Sequence, residues 1–163
     1  MRTIHPFARI GLACLLLFFA AGCTNRPVDH RAPMDVTIVA SWSGDFPVDQ
    51  LRRLPEGQRR SRVGYLADPE IFADVWQVLM PGEPIPQVDF SRNMVVFSRN
   101  VTYFNRSRII KVTLIGGVAE VLAMETMSAM PIEDVLVLAL AVVPRAGIQF
   151  IQSGEEKIPV GIP

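Results

Sequence analysis

The sequence predicts an α+β fold, mainly an antiparallel sheet or a small barrel, with one main helix at about residues 69–80. Three observations lead there. About seven short segments rich in Val, Ile and aromatic residues are separated by Gly or Pro turn signals. One firm segment repeats its apolar residues with the period of a helix. The run at residues 135–143 (VLVLALAVV) is too apolar for a strand with one wet face, which predicts a central strand covered on both sides.

Taken in order, residues 36–42 (VTIVASW) read as the first strand, stopped by the turn signal Ser43-Gly44-Asp45. Residues 48–51 can form a helical turn before Pro55, and residues 62–67 read as a short strand. Asp68 then suits an N-cap, Pro69 the first helical position and Glu70 the positive end of the helix dipole. Ile71, Phe72, Val75, Trp76 and Leu79 fall on one apolar face, and Pro81-Gly82 ends the helix. Residues 93–98 form the next strand. Residues 108–115 and 118–124 flank Gly116-Gly117, a two-residue hairpin signal. Residues 148–152 and 157–160 flank a second turn and predict a final hairpin.

The first 35 residues read differently. Arg2 and Arg9 are basic, and residues 10–21 (IGLACLLLFFAA) form an unbroken apolar run. As a helix this run reaches about 18 Å, short of the roughly 30 Å hydrocarbon core, so residues 1–22 read as a signal peptide. Ala20-Ala21-Gly22-Cys23 resembles a bacterial lipobox, with Ala20 where Leu is usual. The resemblance implies a lipoprotein whose Cys23 sulfur carries a covalent lipid. Cys14, the only other cysteine, falls in the signal peptide, so the mature chain has no internal disulfide. Residues 23–35 then form the lipidated cysteine and a tether, and residues 36–163 a single β-rich domain. The expected location is the bacterial cell envelope, membrane-bound through the lipid. Thr24, in place of a retention Asp, favours the outer membrane where there is one.

Composition narrows the function. The 163 residues suit one domain, with Lys+Arg equal to Asp+Glu at 16 each. That balance removes the electrostatic case for nucleic-acid binding. The mean hydropathy of +0.29 owes much to the N-terminal apolar run.

Within residues 62–97, Phe72-Ala-Asp-Val-Trp76, Pro86-Gln-Val-Asp89-Phe90 and Met94-Val-Val-Phe97 follow one another in a strand, helix, loop, strand order. This stretch resembles the C-terminal domain of the PrcB family, named for a lipoprotein subunit of a surface protease complex. The resemblance implies an accessory, non-catalytic role. The family's Gly-rich segment with a Gly-Tyr pair is replaced here by residues 100–106 (NVTYFNR). Asp89 and Phe90 also fit a purely structural role, as a turn acceptor and a core plug.

Catalytic motifs are sparse. The one histidine left after cleavage is His30 in the tether, so the domain can build no Ser-His or Cys-His pair. A hydrolase would need a Ser-Lys site using Lys111 or Lys157, or paired carboxylates. Met124, Met127 and Met130 are soft ligands suited to Cu(I). Residues three apart share a face only in a helix, however, and Thr126 and Pro131 oppose one, so adaptable core filling is the reading preferred here. No other metal or cofactor is expected. Arg52, Arg53, Arg59, Arg60 and Arg62 could hold an anion, or could form a solvated loop beside Asp49 and Glu56. Tyr103 and Phe104 lie in a polar connection and could anchor a partner or fold over a sheet end.

The leading expectation is a non-catalytic envelope lipoprotein that binds another protein as an accessory subunit. The alternative is binding of an anionic glycolipid or cell-wall ligand through the arginine group. A hydrolase is the remote third. An apolar surface around Tyr103 and Phe104 would favour the first; a lysine beside a serine, or two acids in a pocket, would favour the third.

Overall fold

The structure is a computed structural model that describes residues 32–103 and 106–161. The signal peptide, Cys23, most of the tether and Phe104 lie outside the described residues. Among the described residues, nine strands and one α-helix build three layers. The central layer is a four-stranded sheet in the order β2 (Ala40–Pro47), β7 (Val135–Pro144), β4 (Asn93–Arg99), β3 (Val63–Leu66). Its neighbour is a five-stranded sheet in the order β1 (Met34–Val36), β5 (Arg106–Ile115), β6 (Val118–Thr126), β8 (Phe150–Ser153), β9 (Glu156–Pro159). All pairings are antiparallel except β6 with β8. The helix α1 (Pro69–Leu79) covers the other face of the central sheet. The α+β arrangement stands, and no closed barrel forms.

β7 has the two covered faces that its composition predicts. Leu136, Leu138, Leu140 and Val142 face α1 with Phe72, Val75, Trp76 and Leu79. Ala139, Ala141 and Val143 face the second sheet with Ile109, Val112, Val121 and Ile151. Alternation along β4 repeats this: Val95 and Phe97 pack toward the helix, Met94 and Val96 toward the second sheet. The helix begins as expected, with Asp68 Oδ1 accepting from the Glu70 and Ile71 N–H groups at 2.7 and 3.2 Å. That cap contributes about 1 kcal/mol. In the β5–β6 hairpin Gly116 and Gly117 have φ of +56° and +85°, the positive values that a type I′ turn needs at both central positions.

Three expectations change. The strand expected at residues 36–42 is split: β1 pairs with β5, whereas β2 pairs with β7, and the chain crosses between sheets at residues 37–39. A strand that switches sheets closes one corner of a sandwich. The first of the two strands begins at Met34. Second, Gly44 lies inside β2 instead of in a turn. A Cβ there would meet Leu79 Cδ1 at 3.2 Å and the Leu79 carbonyl at 3.3 Å, so the glycine serves close approach of the helix end. Third, Met124, Met127 and Met130 are not core filler: they are 57%, 82% and 66% exposed. Met124 stands on the exposed face of β6, and the other two lie in the connection beyond it, where no layer formed by the described residues packs.

Candidate functional site

One end of the sandwich is formed by the chain after β4 and the connection between β6 and β7. Asn100 joins them. It is 1% exposed, its Oδ1 accepts from the Val137 N–H at 2.9 Å, and its Nδ2 donates to the Tyr103 carbonyl. The Ile132 N–H donates to the Thr102 carbonyl at 3.2 Å, and Tyr103 bridges Pro131 in antiparallel register. Backbone hydrogen bonds thus hold Tyr103 in place while the residue stays 41% exposed. Val101, Tyr103 and Met127 share a shallow recess of about 220 Å³ with Asn100, Arg62 and Glu125. Met130 adjoins it through Pro131, while the exposed Leu122 and Met124 stand on the other face of β6 from Glu125. A β-bulge between Ile109 and Lys111 leaves Ile110 half exposed on β5.

The arginines are spread out and mostly engaged. Arg52 and Arg53 end a 3-10 helix over Val48–Arg53. Arg52 Nη1 donates to the Asp49 carbonyl at 3.3 Å. Arg53 donates to Gln50 Oε1 at 2.9 Å and lies 3.8 Å from Asp74. Arg59 Nε donates to the Leu54 carbonyl at 3.2 Å, and Arg62 lies 3.7 Å from Glu125. Arg60 is exposed. Beneath them lies a cation the sequence does not advertise. Arg99 is 6% exposed, with Nε donating to the Ser61 carbonyl at 2.7 Å and Nη2 to the Arg59 carbonyl at 3.1 Å. Burial lowers the Arg99 pKa, and the nearby Glu156 carboxylate partly opposes that. Its donors tie down the arginine-bearing loop from below. A charged residue at a strand end is ordinary in sequence, so no local signal marks Arg99, and the same holds for Asn100 in its polar stretch.

Both lysines have partners. Lys111 Nζ lies 2.9 Å from Asp35 Oδ1, and Lys157 Nζ lies 4.2 Å from the centre of the Phe150 ring. Glu133 and Asp134, consecutive in the chain, border an open recess of about 270 Å³ with Met130 and Pro131, and both are solvent-exposed. The three methionines are not gathered: Met127 borders the Tyr103 recess and Met130 the acidic one. Among the described residues no group of three or more His, Cys, Asp or Glu could hold a metal ion. No helix among them is long and apolar enough to cross a membrane. Asp89 is a turn acceptor: its Oδ1 accepts from the Ser91 N–H at 3.0 Å and from the Ser91 hydroxyl at 2.5 Å. Phe90 packs against Phe72 with ring centres 5.7 Å apart.

Fold and surface together define a class, a helix-backed two-sheet module with an apolar rim at one end of its strands. No family model, curated protein or solved structure matches the chain.

Proposed function

We propose that this chain is a non-catalytic, lipid-anchored envelope protein that binds a protein partner through the rim around Tyr103. The anchor part of this reading rests on the sequence at Ala20 to Cys23. The observation that carries the binding part is the fixing of Tyr103 by Asn100 and Pro131 beside exposed Met127 and Met130. With its backbone already held, Tyr103 loses little further main-chain entropy on binding, and flanking methionines adapt to a partner's contours. The PrcB-like stretch, residues 62–97, agrees with an accessory role. The arginine group supports an anion-binding reading less well, because four of its five members already have acceptors or acidic partners.

The test is capture of a partner from envelope extract by the full chain in detergent, followed by affinity measurement with the identified partner. Tyr103→Ser with Met127→Ser should weaken binding at least about tenfold. Raising salt from about 0.1 M to about 1 M shortens the Debye length from about 10 Å to about 3 Å and should change little. Binding that is salt-labile and survives the rim substitutions would replace this reading with the anionic-ligand one.

A further inference from the structure

The five-stranded sheet packs one face on the central sheet, and no layer formed by the described residues covers the other. Strand register tells which side chains share that outward face. Ile109, Val112, Val121 and Ile151 point inward, so Arg106 and Arg108 on β5, with Leu122 and Met124 on β6, point outward. Arg108 stands opposite Met124, and Lys111 opposite Leu122. The bulge in β5 adds Ile110 to the same side. Ile110, Leu122 and Met124 are 47%, 52% and 57% exposed.

Charge is uneven across the molecule. Acids outnumber bases among the described residues. Yet the outward positions of this sheet hold four basic residues, Arg106, Arg108, Lys111 and Lys157, against two acidic ones, Asp35 and Glu120. Asp35 is held by Lys111 at 2.9 Å. On the opposite side of the molecule α1 carries Glu70 and Asp74 and no basic residue, and Arg53 of the neighbouring 3-10 helix lies against Asp74. Apolar side chains set among arginines and lysines match the boundary of an anionic bilayer, where hydrocarbon meets phosphate.

The point of attachment agrees. β1, at the edge of this same sheet, begins at Met34, and residues 24–33 separate it from Cys23. Fully extended, that segment reaches about 35 Å, close to the length of β5 itself at about 3.4 Å per residue. A lipid on Cys23 therefore keeps this sheet within about one strand length of the bilayer.

We propose that the outward face of the five-stranded sheet lies against the anionic lipid surface to which the chain is anchored. Ile110, Leu122 and Met124 sit among the head groups, and Arg106, Arg108 and Lys157 meet the phosphates. This orientation rests on the lipid-anchor reading. It turns α1 away from the bilayer and leaves the Tyr103 rim at the side, open to a partner.

Tryptophan reporters test it in the full chain reconstituted in vesicles of brominated phosphatidylcholine, with or without phosphatidylglycerol. Trp42 and Trp76 belong to the core under α1, away from this face. Met124→Trp, and Leu122→Trp as a second reporter, should be quenched by the bromines and shifted to the blue in the anionic vesicles, and much less in the neutral ones. Gln77→Trp, at an exposed position of α1, should emit alike in both. Each basic residue at an anionic surface strengthens binding about fivefold. Arg106→Gln with Arg108→Gln should therefore shift the docked-to-free ratio at least about tenfold toward free, and salt of about 1 M should act in the same direction. No quenching of either strand reporter in the anionic vesicles would overturn the proposal. So would equal quenching in the neutral vesicles, or quenching of Gln77→Trp as strong as that of Met124→Trp. Mass spectrometry reads the lipid on Cys23 separately. Its absence would refute the anchor, and the reporters would then be read on the chain held to a chelating lipid by an N-terminal histidine tag, where the same quenching still supports the face.

Discussion

Trp76→Ala tests the packing between α1 and the central sheet. Trp76 is 4% exposed. It meets Trp42 edge-on, with ring centres 5.2 Å apart at 77°, and Phe72 at 6.0 Å. Its indole N–H donates to the Glu83 carbonyl at 3.3 Å, which ties the loop after the helix to the helix itself. Truncating a buried aromatic costs about 3–5 kcal/mol through lost transfer energy and the cavity left behind. The aromatic pairing with Trp42 accounts for about 0.5–1.5 kcal/mol and the long hydrogen bond for about 1 kcal/mol or less, partly inside that total. The expected loss is about 4 kcal/mol, a large share of the roughly 5–15 kcal/mol that holds a domain folded. Urea titration followed by circular dichroism measures it, with the midpoint falling at unchanged slope. Trp42, the remaining tryptophan, should emit further to the red because it loses its neighbour. A loss below about 1.5 kcal/mol, with Trp42 emission unmoved, would refute the claim that this face carries the helix.

Gly64→Ala should destabilise by about 3 kcal/mol, near the upper end for overpacking, because a Cβ there would lie 2.4 Å from Phe97 Cζ and would displace Gln58 from the Tyr65 N–H. A denaturation midpoint like that of the parent chain would contradict it. Cys23→Ser should abolish labelling by a radioactive fatty acid and release the protein from the membrane fraction or leave it unprocessed; unchanged labelling refutes the lipobox reading. Hydrogen bonds from Ser91 hold the Asp89 carboxyl below its usual range. A depressed folded-state pKa contributes stability above the unfolded value and loses it as pH falls through the folded one. Ser91→Ala should therefore move the Asp89 pKa upward in an NMR titration and start the acid loosening of that turn at a higher pH; an unmoved pKa would count against it.

The elements themselves could be read from the chain because their causes are local. Asp68 and Pro69 start the helix within one turn of where they stand, Gly116-Gly117 supply the two positive φ values of their own hairpin, and the unbroken run in β7 states that both its faces are dry. What lies over each face is a different matter. Met124 on β6 and Val95 on β4 are both apolar strand residues, yet one is exposed and the other is buried, because α1 covers the central sheet and none of the described residues forms a layer over the outer face of the second. Alternation tells which residues share a face; only the stacking of layers tells which faces are covered. The split between β1 and β2 follows from the same stacking, since residues 34–36 find their partners in one sheet and residues 40–47 in the other. Asn100 and Arg99 become buried clamps only when β7 and the loop before β3, 37 to 40 residues away in sequence, pack against them. The Ser43 hydroxyl of β2 donates to the carbonyl of Ser107 in β5, 64 residues later. No window of sequence holds both residues, so that juxtaposition exists only once the two sheets have packed.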